Sequence, residues 1–199
     1  MALAFDDIAV LFTRHGGTQY SGEPVTQTEH ALQTAWLAER DGADDELVTA
    51  ALLHDLGHLL HDHGDTPTAQ GIDDRHQFSV VPFLCGLFGA RVLEPIRWHV
   101  DAKRCLCATR PGYHAALSAD SRRSLALQGG VFSLEETRAF LNRPLAGEAL
   151  RLRLWDDQAK VAGLATPDLR HYLGIAARCR RGPVPRPASA PASASAPPA

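Results

Sequence analysis

The chain lacks a basic excess. Its 199 residues carry 20 lysines and arginines against 23 aspartates and glutamates, a net charge of −3 with histidine neutral. A surface that holds nucleic acid by its phosphates needs a positive stripe, so nucleic acid is not an expected partner. Long hydrophobic runs are missing too: nothing approaches the ~18 consecutive apolar residues that cross a bilayer as a helix, and no membrane association is expected. The N-terminus, MALAFDDIAVLF, has acids where a secretory leader needs basic residues, so the expected location is cytoplasmic. Cysteine is sparse. Cys85, Cys105, Cys107 and Cys179 form no disulfide framework, and Cys105-x-Cys107 is too close for a zinc CxxC pair; they read as reduced packing residues. Sustained alternation of polar and apolar residues is also absent, which argues against a β architecture.

What is present reads as helix after helix, an all-α single domain. Phe5–Arg14 is amphipathic and stops at Gly16-Gly17. Thr26 or Thr28 caps a helix running to Arg40, with Asp41-Gly42 as its stop. Asp44 or Asp45 caps the next helix, and the polar loop His63–Gly71 follows it. Further helices are expected over Asp74–Leu87, Arg91–Val100, Ala119–Leu127, Leu134–Leu141 and Ala146–Ala162, and a last one from Thr166-Pro167. From Gly182 the composition turns to Pro, Ala and Ser with almost no apolar bulk, too little to offset the entropy of ordering it. The expected organisation is a folded domain over 1–181 and a disordered tail over 182–199.

Histidine is abundant: there are 10, six of them between Ala50 and Val100. His54 and Asp55 lie within ELVTAALLHDLGHLLHD, residues 46–62, whose helix would be apolar nearly all round and therefore buried. Burying a carboxylate beside imidazoles costs several kcal/mol unless each finds a partner, and a metal ion partners them together. His30, His76, His99 and Asp156 are further ligand-type residues among apolar neighbours, each on a different expected helix. A carboxylate has two oxygens and can bridge two ions, so His54 can hold one metal while Asp55 reaches a second, ~3.5–4 Å away in such centres. His58, one turn after His54, faces the same side and is a candidate ligand or substrate contact. His15, His61, His63, His114 and His171 lack the apolar setting and read as surface residues.

The ordered set His30, His54-Asp55, His76, His99, Asp156 resembles the HD-domain superfamily across most of residues 20–160, which implies an HD-domain helical bundle. Most members are phosphohydrolases. One branch uses iron and O2, and includes myo-inositol oxygenase and the oxygenases that cleave 1-hydroxyphosphonates. Tyr20-Ser-Gly-Glu23, in a loop before His30, is similar to the lid of the phosphonate oxygenases; there the tyrosine binds iron at rest and the glutamate meets the substrate amine. His58, Lys103, Ser121, Ser124 and Arg153 fall where that branch holds the phosphonate, and cationic side chains suit a dianion. Asp156 is preferred as ligand over its neighbour Asp157 by its spacing from Arg153 and Lys160.

The resemblance implies a mixed-valence Fe(II)/Fe(III) pair. The first iron would be held by His30, His54, Asp55 and Asp156, and the second by Asp55, His76 and His99 with Tyr20 as a displaceable ligand. Tyr20, Glu23 and His58 are the candidate catalytic side chains. The implied partners are O2 and a small phosphonate, 1-hydroxy-2-aminoethylphosphonate or its trimethylammonium form, cleaved to glycine or glycine betaine and inorganic phosphate. Glu23 favours the amine. A trimethylammonium would favour aromatic faces, for which Phe12, Trp36, Phe78, Phe83 and Tyr113 are candidates. The alternatives are a metal-dependent HD phosphohydrolase of a nucleotide or phosphomonoester, against which the Tyr20/Glu23 pair weighs, and a non-catalytic HD sensor of a metal or anion.

Overall fold

Helices α1 (Phe5–His15), α2 (Gln27–Arg40) and α3 (Asp45–Leu53) open the computed structural model, which describes residues 4–20, 22–60, 68, 71–73 and 75–182. Thr26 caps α2 through a reciprocal box: its hydroxyl accepts from the Glu29 amide while the Glu29 carboxylate accepts from the Thr26 amide. Asp44 caps α3 by accepting from the Leu47 amide at 2.9 Å. Every residue of α3 from Leu47 to Leu53 is buried, as an all-round apolar helix requires. Each fully buried leucine contributes about 2 kcal/mol.

The helix expected over 46–62 does not run through. It ends at Leu53; His54 and Asp55 form a turn, and a 3-10 turn over Leu56–Leu59 follows. Asp55 has φ −104° and ψ 10°, close to the bridge region where many active-site residues sit. The helix expected over Asp74–Leu87 is instead two single turns, α4 (His76–Ser79) and α5 (Val81–Leu84). Pro82, which has no amide hydrogen, sits in the first turn of α5.

The long helix α6 (Ala90–Thr109) accommodates Pro95 near its start and continues nine residues beyond the expected Val100. A short α7 (Tyr113–Ala116) follows, then α8 (Ala119–Leu127) and α9 (Leu134–Leu141), both as expected. The helix α10 (Ala146–Gln158) ends before the expected Ala162, and the last helix, α11 (Leu169–Arg178), is capped by Asp168 rather than by Thr166. His61, His63, Asp74 and the tail beyond Gly182 lie outside the described residues.

Among the described residues there is no strand, only a single antiparallel bridge, Gln19 to Thr26. The central helix α3 packs against α2, α6 and α11, while α6 lies along α10. The main core joins Ile8, Phe12, Ala35, Leu52, Leu53, Ile96, Leu152 and Tyr172. No helix among the described residues is long and apolar enough to cross a membrane. The four cysteines are free.

Gly57 seats α4 against the 3-10 turn. A methyl group there would come within 2.4 Å of the His76 carbonyl oxygen and 2.9 Å of its Cα. Gly57→Ala is therefore expected to cost about 1–3 kcal/mol and to displace His76. Thermal unfolding and metal content check this; an unchanged melting temperature with full metal content would contradict it.

Candidate metal centre and anion pocket

His30 is held in the first turns of α2, His54 and Asp55 at the end of α3, His76 at the start of α4, His99 on α6 and Asp156 on α10. All six are buried. The Nδ1 atoms of three imidazoles meet main-chain carbonyls: His30 that of Ala159 at 2.8 Å, His54 that of Ala51 at 2.9 Å, His99 that of Ile96 at 2.7 Å. A carbonyl only accepts, so each Nδ1 carries the proton and each Nε2 presents a lone pair inward. At His30 and His54 those lone pairs converge, the Nε2 atoms lying 3.2 Å apart; Nε2 of His76 likewise lies 3.1 Å from that of His99. Two acceptors that close repel unless a cation lies between or beside them.

Asp55 divides its oxygens between the two pairs. Oδ2 lies 3.5 Å from His30 and 3.3 Å from His54. Oδ1 lies 3.3 Å from His76 and 3.6 Å from His99. Within each group, His30–His54–Asp55 and Asp55–His76–His99, donor atoms lie within 4.8 Å of one another. Asp156 Oδ1 lies 3.5 Å from His30. Buried Asp55 Oδ1 and Asp156 Oδ1 accept no hydrogen bond. Two orphaned carboxylate oxygens facing inward-pointing imidazole nitrogens fit two metal ions that share Asp55.

The electrostatics point the same way. Burial alone would raise the Asp55 carboxyl, but positive charge at the His54 and His76 positions outweighs it and holds the group well below the usual range; with neutral rings, a bound metal would supply that charge. Burial also works against Asp156, and Arg153 outweighs it there. Burial, reinforced by His76, pushes His99 well below the ordinary histidine value, so its ring stays neutral and able to ligate. Both carboxylates are thus poised as anions.

Tyr20 stacks on His30 with ring centres 3.9 Å apart, and its hydroxyl donates to Asp55 Oδ2 at 2.8 Å. It therefore sits on the oxygen shared with His30 and His54, not beside His76 and His99 where the sequence reading placed it. Burial and the Asp55 charge push its phenol well above the ordinary tyrosine value, so it remains a donor. His58 Nε2 is 3.9 Å from Asp55 Oδ1. Glu23, in the same turn as Tyr20, pairs with Lys160 at 3.3 Å.

A cavity opens beside this centre, lined by Tyr20, Asp55, His58, His76 and His99 on one side and by Lys103, Ser121, Ser124 and Arg153 on another. Lys103 lies one turn from His99 on α6, and its ammonium donates to Ser124 Oγ at 2.7 Å. Burial, helped by Arg153, pulls Lys103 down to about 7. Arg153 ion-pairs with Asp156 at 2.9 Å and with Asp157, and donates to Ser121 Oγ at 3.4 Å. Two buried basic side chains and two hydroxyls thus meet in one cavity. Asp157 faces Arg153 and the Tyr113 hydroxyl, so Asp156 is the carboxylate that reaches the imidazoles.

Sequence reasoning missed several contributors. Tyr113, weighed there as an aromatic face, instead supports Arg153 through its hydroxyl. Thr68, Asp73, Asp120 and Gln128 also line the cavity. The i,i+4 spacing of Arg153 and Asp157 is visible in the sequence; the placement of Thr68, Asp73, Asp120 and Gln128 against the cavity leaves no local signal. None of Phe12, Trp36, Phe78 and Phe83 is among the lining residues. His15, His114 and His171 are exposed.

A family model described as the HD domain matches residues 28–128. The hydroxymethylphosphonate dioxygenase of Gimesia maris is 45% identical over 163 residues, covering 81% of each chain. The [1-hydroxy-2-(trimethylamino)ethyl]phosphonate dioxygenase (glycine-betaine-forming) of Leisingera caerulea is 38% identical over 171 residues, 86% of this chain and 87% of the relative. An uncharacterized protein of Acanthamoeba polyphaga mimivirus is 35% identical over 167 residues, 83% of this chain and 76% of the relative.

Proposed function

The chain belongs to the HD-domain family, among its phosphonate-cleaving dioxygenases, and we propose that it uses two irons and O2 to cleave the C–P bond of a small 1-hydroxyphosphonate of the 1-hydroxy-2-aminoethyl or hydroxymethyl type. The products are a carboxylic acid and inorganic phosphate. The observation that carries this reading is the division of Asp55 between two imidazole pairs beside a cavity lined by buried Lys103 and Arg153.

Four imidazoles with two carboxylates suit iron; magnesium takes oxygen ligands and keeps its waters. His30, His54, Asp55 and Asp156 would hold one iron, and Asp55, His76 and His99 the other. A mixed-valence pair would supply O2 activation and the oxidising power to remove hydrogen from C1. The C–P bond has no bridging oxygen to leave by hydrolysis, which accounts for a redox metal in this setting. Lys103, Arg153, Ser121 and Ser124 would grip the phosphonate and so fix C1 and its hydroxyl over the centre. Tyr20, whose hydroxyl occupies Asp55 Oδ2, would be displaced as the substrate hydroxyl arrives. Apart from Tyr20 and imidazoles, the cavity wall carries no aromatic face among its described residues, which gives a trimethylammonium group little to bind.

Metal analysis with activity assays tests this. As-isolated protein is expected to hold about two irons per chain, to show the EPR signal of a mixed-valence pair, and to release phosphate from 1-hydroxyphosphonates. Full activity with magnesium or manganese alone would overturn it in favour of a phosphohydrolase.

A further inference from the structure

Lys160 follows α10 at a point where the chain is clamped on both sides. The Ala159 carbonyl binds His30 Nδ1 at 2.8 Å. Val161 is held by Gln33 twice: the amide side chain donates to its carbonyl at 2.8 Å and accepts from its N–H at 3.0 Å. His30 and Gln33 are both buried. The backbone of Lys160 is therefore fixed to α2, and its side chain reaches out to the Tyr20 turn. There its ammonium pairs with Glu23 at 3.3 Å and lies 5.7 Å from the centre of the Tyr20 ring. The two side chains are only 13% and 16% exposed, so water competes weakly for the pair.

Glu23 in turn holds Tyr20. Its amide donates to the Tyr20 carbonyl at 2.7 Å, closing the turn, and the Tyr20 amide donates to the Val25 carbonyl at 2.9 Å. Gly22 takes the positive φ of 74° that this turn needs. Gln19 Nε2 also donates to the Glu23 carbonyl at 3.2 Å, and at the other end of the turn the Tyr20 hydroxyl rests on Asp55 Oδ2.

We infer that Lys160 is a positioning residue: through Glu23 it latches the Tyr20 turn over the metal centre. The inference rests on the proposed function for its purpose but not for its test.

Amide hydrogen exchange on the as-isolated, metal-loaded protein provides that test. In Lys160→Met the Tyr20 and Glu23 amides are expected to exchange about tenfold faster, with the α3 amides and the metal content unchanged. Glu23→Gln should give the same acceleration, the double variant no more than either alone, and Lys160→Arg should restore protection. Unchanged exchange at Tyr20 and Glu23 in Lys160→Met, or acceleration that spreads equally to α3, would overturn the latch. Neither result depends on turnover, so loss of the latch and failure of the oxygenase reading are separable.

Discussion

Asp55→Ala is expected to empty both halves of the centre, taking metal content from about two ions per chain to nearly none and turnover with it. The side chain serves His30 and His54 through Oδ2 and His76 and His99 through Oδ1. Removing it deprives both imidazole pairs of their shared anion. His99→Ala acts on one pair alone and should leave about one ion per chain. Far-UV circular dichroism separates these outcomes from unfolding. Stoichiometric metal in Asp55→Ala would refute the bridge.

Lys103→Met should move stability and activity in opposite directions. Lys103 is 2% exposed, and burial, helped by the charge of Arg153, pulls its ammonium down to about 7. An apolar side chain of similar length removes that cost, so the variant is expected to gain about 1 kcal/mol of stability. It should lose about two orders of magnitude in kcat/KM, because a buried contact to the phosphonate dianion is gone. The sign of the pH dependence follows. Lys103 is charged below about 7 and neutral above it, so kcat/KM should fall as pH rises through that value. Asp156, Asp157 and Asp120 oppose Arg153 in setting this value. The substrate's own second ionisation adds a rising limb on the acid side, and the falling limb should vanish in Lys103→Met. A variant that is less stable, with the falling limb intact, would remove Lys103 from the pocket.

The candidate pocket residues were legible through the resemblance to the phosphonate oxygenases, and helical spacing is consistent with their grouping. His99 and Lys103 are one turn apart on α6, and Ser121 and Ser124 one turn apart on α8. Arg153 and Asp156 share a face of α10; the resemblance to the phosphonate oxygenases singles these positions out, and helical spacing brings the members of each pair together. Capping chemistry announced two helices to within a residue or two: of Thr26 and Thr28, and of Asp44 and Asp45, the caps are Thr26 and Asp44. What stayed hidden lies where the chain leaves the helix. The turn at His54-Asp55 interrupts a stretch whose composition favours continued helix, and its backbone angles, not its residue types, turn Asp55 to face both imidazole pairs. Pro82 splits a stretch read as one helix. The end of α10 at Gln158 frees the Ala159 carbonyl for His30 and brings Lys160 to Glu23, contacts between residues more than 120 positions apart. The position of Tyr20 over Asp55 Oδ2 depends on that same long-range packing.

Parallel measurement of O2 uptake and phosphate release with hydroxymethylphosphonate and 2-amino-1-hydroxyethylphosphonate tests the central claim most directly. Balanced cleavage consumes one O2 for each phosphate released and needs no external electrons. The account predicts that ratio with iron-loaded protein and no phosphate release without O2. Phosphate release at the same rate under anaerobic conditions, or from phosphomonoesters but not from hydroxyphosphonates, would contradict it.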